Sequence, residues 1–160
     1  MVMDERILLI LPCNPCIRLG DYSLCDNWRI VVEYIREYLS IISLAAVDSC
    51  KPGIILHGEE HKYTWCDIKP YWDKLYSRDK HRLNLLLEAL IRDLRELILK
   101  HTVLIAYINI KAYRETLIEA SKRLGIGIVD VSPEYYSPLA YRSKRNLIKL
   151  KRAIEEIIDS

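Results

Sequence analysis

Short apolar runs dominate the layout of this chain. ILLIL spans Ile7–Leu11, LAAVDS spans Leu44–Ser49, TVLIAYIN spans Thr102–Asn109 and IGIVDVS spans Ile126–Ser132. A strand that is apolar throughout, without polar alternation, is one buried on both faces, as in a parallel sheet covered by helices. The intervening segments carry hydrophobic residues at helical spacing. Asp26 or Asn27 is placed to cap a helix with Ile30, Val31, Tyr34, Ile35, Tyr38 and Leu39 on one side. Asp79–Lys100 carries a broad stripe from Leu83 to Ile98, and Ala112–Leu124 is a further amphipathic helix stopped by Gly125. Ala140–Ile158 reads as a closing basic amphipathic helix. CKPG turns into a short extended piece, GIILHG, and Glu59–Lys80 is aromatic, charged and irregular. Strand–helix repetition of this kind predicts one α/β domain over residues 1–160, a three-layer α/β/α sandwich on a mainly parallel sheet. Ligands of such sheets sit at the C-terminal ends of the strands.

Composition limits the function classes. With 160 residues, 51% hydrophobic and 29% charged, the chain has enough material for one core and no disordered signature. A net charge of +2 excludes a bulk electrostatic grip on nucleic acid but leaves room for a local patch. No apolar run is long enough to span a bilayer, and MVMDERILLILP lacks the pattern of a secretion signal, so a soluble cytoplasmic protein without membrane partners is expected. The absence of Phe beside eleven Tyr, with abundant Ile, Leu, Lys, Arg and Glu, leans towards a thermophile. That lean bears on the five cysteines, because intracellular hyperthermophile proteins do form disulfides.

The fold expectation brings four polar loops to one sheet edge: Pro12–Asn27, Asp48–Gly53, Asn109–Lys111 and Asp130–Tyr136. A site drawn from them contains Cys13, Asn14, Asp21, Tyr22, Ser23, Asp48 and Asn109. The plain alternative is that strands simply end in turn-forming residues. Cys13 and Cys16 form a C-x-x-C, but about ten loop residues separate it from the next helix, too far for a helix dipole to activate a thiol. A zinc site would draw two more ligands from Cys25, Cys50, Cys66, His57 and His61, none at a metal-ligand spacing, so no metal and no cofactor is assigned. In HGEEHKYTWCDIKPYW, the aromatics Trp65, Tyr71 and Trp72 suit either base stacking or packing on the sheet, and Asp67 is the acid–base candidate. Arg142, Lys144, Arg145, Lys149, Lys151 and Arg152 on the closing helix are either a solvated face or phosphate contacts, with Arg142, Lys144 and Arg145 the nucleic-acid candidates.

The opening stretch resembles the archaeosine synthases, archaeal tRNA-modifying relatives of tRNA-guanine transglycosylase. Their core domain runs from a strand into P-C-x-x-x-K-P-Y-x-x-S-x-x-H. Here LLILPC matches the strand and DYSLCDNW the following segment; VDSCKPGII resembles the family's T-S-P-L-G-V-V and TWCDIKPYW its Y-D-I-P-V-T-G. The match covers Ile7–Ile128 as a pattern and carries over Pro12, Cys13, Tyr22, Ser23, Gly53 and Asp67. The loop is about two residues longer. Arg18 lies near the family lysine, Cys25 replaces the serine and Trp28 the histidine, while the transglycosylase-like half and the RNA-binding domain are absent. The resemblance implies a uracil-DNA-glycosylase-like sandwich and a stand-alone, degenerate version of a domain that attaches lysine to a deazaguanine base in tRNA.

Two classes of function follow. In one, the domain handles a deazaguanine-type nucleobase or nucleotide, with tRNA, a free base or an amino acid as ligand. Cys13 would be the nucleophile, Asp67 or Asp48 the acid–base group, and Pro12, Asn14, Asp21, Tyr22, Ser23, Asp48 and Gly53 the pocket. In the other, the chain is a non-catalytic binding module or partner of a tRNA-modifying complex. A nucleobase glycosylase, with Asp21–Tyr22 or Asn14 in the working role, is a further alternative, as is a metal- or redox-linked protein in which Cys13 and Cys16 meet another cysteine. A polar pocket separates these from a loop filled by Trp28 and Trp65.

Overall fold

The computed structural model describes residues 7–12, 26–48, 52–57, 80–101, 103–134 and 136–160. The first apolar run forms β1 (Ile7–Pro12), with every residue buried. Next come α1 (Asp26–Tyr34), a 3₁₀ segment (Arg36–Ile41), β2 (Ile42–Asp48) and β3 (Gly53–Leu56). The second half contains α2 (Lys80–Leu97), β4 (Val103–Ala106), α3 (Lys111–Leu124), β5 (Val129–Asp130), α4 (Pro138–Arg142) and α5 (Lys144–Asp159).

The strands make one five-stranded sheet in the order β3-β2-β1-β4-β5. β1 runs parallel to β2, from Ile7 opposite Ile42 to Pro12 opposite Val47, and parallel to β4, from Ile7 opposite Val103. β4 and β5 are also parallel, whereas β3 folds back antiparallel on β2 with Gly53 opposite Asp48. The chain therefore moves from β1 to one side, then returns across it to place β4 on the other. That reversal is the topological switch point, and sheets of this kind bind ligands in the crevice outside the carboxyl ends of the strands beside it.

The pleat divides the side chains between two cores. Ile7, Leu9 and Leu11 of β1 pack with Trp28 and Val31 of α1 and with Leu150 and Ile154 of α5. Leu8 and Ile10 face the other way, onto Leu86, Leu90 and Leu94 of α2 and Leu117 of α3. Helices thus flank both faces, as apolar strands require. Each fully buried aliphatic side chain contributes on the order of 1.5–3 kcal/mol, so alternate residues of β1 anchor both layers.

Four elements differ from expectation: IGIVDVS is a strand only over Val129–Asp130, and three others differ for a local reason. Winding after Tyr34 tightens into the 3₁₀ segment, and Tyr38 instead donates its hydroxyl to Glu155 of α5 at 2.8 Å. The closing helix is two helices. Ser137 and Ser143 are both extended, and their hydroxyls accept from Ala140 N at 3.1 Å and Asn146 N at 3.3 Å, so each serine starts a helix. The run TVLIAYIN is a strand only to Ala106. Tyr107 N still donates to Ile10 O at 3.0 Å, but Ile108 N turns to the Ser132 hydroxyl at 2.9 Å.

Candidate functional site

At the switch point, β1 ends on Pro12, which has no N–H to extend the ladder. Its carbonyl accepts a hydrogen bond from the Trp28 indole Nε1 at 2.9 Å. Trp28 is fully buried, with its ring 6.1 Å from that of His57 at a 44° tilt. Its position near the start of α1 is set by the helix itself, where Arg29 also pairs with Asp26 at 2.8 Å. Asp48 closes β2 one residue beyond the strand position opposite Pro12 and is 1% exposed. Gly53 faces it across the β2–β3 pair, with a φ of 141°. The backbone N–H of the next residue, Ile54, donates to Asp93 Oδ2 at 2.8 Å, and a Cβ on Gly53 would collide with that same carboxylate oxygen. Gly53 therefore admits Asp93 of α2 to the edge strand.

On the other side of the crevice, the ends of β4 and β5 are knitted by polar side chains. The Ser132 hydroxyl accepts from Ile108 N and donates to Ala106 O at 3.3 Å. Asp130 Oδ2 accepts from Arg114 Nε at 2.9 Å and Nη2 at 2.7 Å, and its Oδ1 accepts from Ser132 N at 3.1 Å. Burial alone would raise the Asp130 carboxyl pKa, but the Arg114 and Ser132 hydrogen bonds outweigh it and hold the pKa below its ordinary value. Arg114 is shifted upward by the same pairing, and its Nη1 also donates to the Tyr136 hydroxyl at 3.0 Å. Tyr107 donates its hydroxyl to Tyr141 O at 2.6 Å, and burial pushes its pKa up. Asn109 Nδ2 donates to Ser137 O at 3.3 Å, tying the crevice rim to α4.

Beside this rim an open groove of about 1120 Å³ runs between β5 and α5. Val129, Val131, Ile148 and Ala153 line it with aliphatic surface, and Lys144, Arg145, Lys149 and Arg152 with exposed cations. Glu134 and Glu156 are the carboxylates that reach it. Among the described residues none of these four cations forms an ion pair, whereas the neighbouring Lys151 is held by Glu37 at 2.7 Å.

The residues singled out from sequence thus fall into two groups. Pro12, Asp48 and Gly53 meet at the β1–β2–β3 end of the edge; Lys144 and Arg145 line the groove, and Arg142 ends α4 nearby, exposed. Cys13, Asn14, Asp21, Tyr22, Ser23 and Asp67 lie outside the described residues, as do Cys16, Cys25, Cys50, Cys66, His61, Trp65, Tyr71 and Trp72. Sequence reasoning brought the Asp130–Tyr136 loop to the site edge without singling out Arg114, Asp130 or Ser132, and counted Lys149 and Arg152 in the basic stripe without naming them among the nucleic-acid candidates. For Asp130 and Ser132 the signal was a polar break inside IGIVDVS, and Arg114 had none. For the stripe it was the four- and three-residue spacing from Arg145 to Lys149 to Arg152.

No group of His, Cys, Asp and Glu able to hold a metal ion occurs among the described residues, and no helix there is long and apolar enough to cross a membrane. In comparisons with known proteins, no family model, no curated protein and no solved structure matches the chain.

Proposed function

We propose that this domain handles a deazaguanine-type nucleobase or nucleotide, as a relative of the archaeosine synthase core with a uracil-DNA-glycosylase-like sandwich. The observation that carries this reading is the position of Pro12: the first residue of the Pro-Cys stretch that resembles the family ends β1 at the topological switch point, where α/β sheets bind ligands. Asp48, buried at the end of the adjacent strand, adds a carboxylate to the same sheet edge.

One observation favours a binding module over an enzyme. Trp28, at the position of the family histidine, is fully buried and bonded to the Pro12 carbonyl. A side chain committed to packing there supplies neither proton transfer nor a charged contact, so the reading that fits best is recognition without histidine chemistry.

The test is binding of total tRNA and of free 7-deazaguanine to the wild type, Tyr22→Ala and Asp67→Ala, at low and physiological salt. Binding at physiological salt that both substitutions weaken about tenfold supports the proposal. Binding that vanishes with salt and ignores both substitutions rejects it.

A further inference from the structure

We infer that the groove between β5 and α5 is a track for the phosphate backbone of a single-stranded RNA segment; the inference rests on the nucleotide reading above and adds a second contact surface to it. Arg145, Lys149 and Arg152 recur at four- and three-residue spacing, which stacks them along one helix face over about 10 Å of axial rise. Lys144 extends the row at its upper end. On neighbouring surfaces Lys151 pairs with Glu37 and Arg123 with Glu119. These four do not, among the described residues, although the chain carries nearly as many acidic as basic residues, 22 against 24. A row of unpaired cations at regular intervals is complementary to a polymer with one negative charge per repeat.

The groove also has a direction. Its upper end, at Lys144, follows directly on α4, and Asn109 reaches α4 through the Ser137 carbonyl. A nucleotide whose base entered the crevice would therefore have its neighbouring phosphates led past Arg142 and Lys144 and down α5. The aliphatic lining from Val131, Ile148 and Ala153 accepts ribose and base faces without reading base edges. No aromatic side chain among the described residues lines it, so binding should be sequence-tolerant and carried by charge. An acidic protein segment would also satisfy the charges, but would have no reason to follow a path towards the strand ends.

The experiment measures fluorescence anisotropy of labelled oligouridine across a potassium chloride titration, for wild type, Arg145→Glu/Lys149→Glu and Lys122→Glu. Lys122 is an exposed cation of α3, in the opposite layer, and serves as the charge control. Four phosphate contacts predict a slope of log K against log salt of about −3 for a single strand, falling to about −1.4 when two are removed. The double variant should bind at least about tenfold more weakly with unchanged thermal melting, while Lys122→Glu binds as wild type does. Equal binding by all three proteins overturns the groove. So does preferential capture of polyglutamate in place of oligouridine, which would assign the groove to an acidic protein. Binding of 7-deazaguanine, run in parallel, keeps the two readings apart. If the base binds but oligouridine does not, the groove alone fails; if neither binds, both readings fail.

Discussion

Gly53 and Gly125 both hold positive φ, at 141° and 67°, yet their surroundings differ. Gly125 caps α3 in the left-handed region with nothing near a would-be Cβ, whereas at Gly53 that Cβ meets the Asp93 carboxylate. Gly125→Ala should cost about 1 kcal/mol, the conformational penalty alone. Gly53→Ala should cost about 2–3 kcal/mol, because it adds displacement of Asp93 from Ile54 N. Urea denaturation of the two variants measures the difference; equal losses would show that Asp93 gives way freely. Sequence alone marks Gly125 as a helix stop, since it follows the last residue of an apolar stripe. It cannot pair Gly53 with a carboxylate forty positions away on another element. Trp28 illustrates the same limit, because an aromatic at a helix start reads equally well as a stacking platform or as core.

At the scale of elements, α3 is clamped to β5 by Arg114 and Asp130, and the clamp makes stability depend on pH. The folded pKa of Asp130 lies below its ordinary value, so the unfolded chain binds the proton more readily. The contribution is fully present above the unfolded carboxylate pKa of about 4 and is lost as pH falls through the folded value. Asp130→Asn should cost about 1–2 kcal/mol near neutrality, from the charge-assisted hydrogen bonds, and progressively less as pH falls through the folded pKa of the wild-type carboxyl. Denaturant titrations at neutral and acid pH should show the two proteins converging; a constant gap would mean that the pair owes nothing to charge. Elements themselves were the most legible part of this chain. Unbroken apolar runs announced β1, β2 and β4, and spacing announced α1, α2 and α3. The break at Ser143 was hidden because Leu147, Leu150 and Ile154 continue the stripe begun upstream, while the hydroxyl cap of Asn146 N depends on backbone geometry that composition does not encode.

For the whole molecule, the sheet order concentrates stability at its centre. β1 pairs on both sides and is covered by both cores, whereas β5 is a two-residue edge with Val129 36% exposed. Amide hydrogen exchange should therefore be slowest for residues 8–11 and faster for residues 129–130 by several orders of magnitude. Uniform exchange across the sheet would contradict this gradient. The α/β class followed from the pattern of runs, but the reversal at β1 did not, since pairing partners are set by tertiary contacts. The proximity of the basic helix to the β5 edge was likewise legible only once the layers had been assigned. The hydrogen bond from Trp28 to Pro12, sixteen positions apart, has a consequence of another kind. Its donor belongs to α1 and its acceptor to β1, and both elements are anchored in the same core. Closure entropy grows only with the logarithm of length, about 0.6 kcal/mol per doubling. The end of β1 and the start of α1 are thus pinned directly to one another inside the core, and that pin holds whichever residues the chain carries between them.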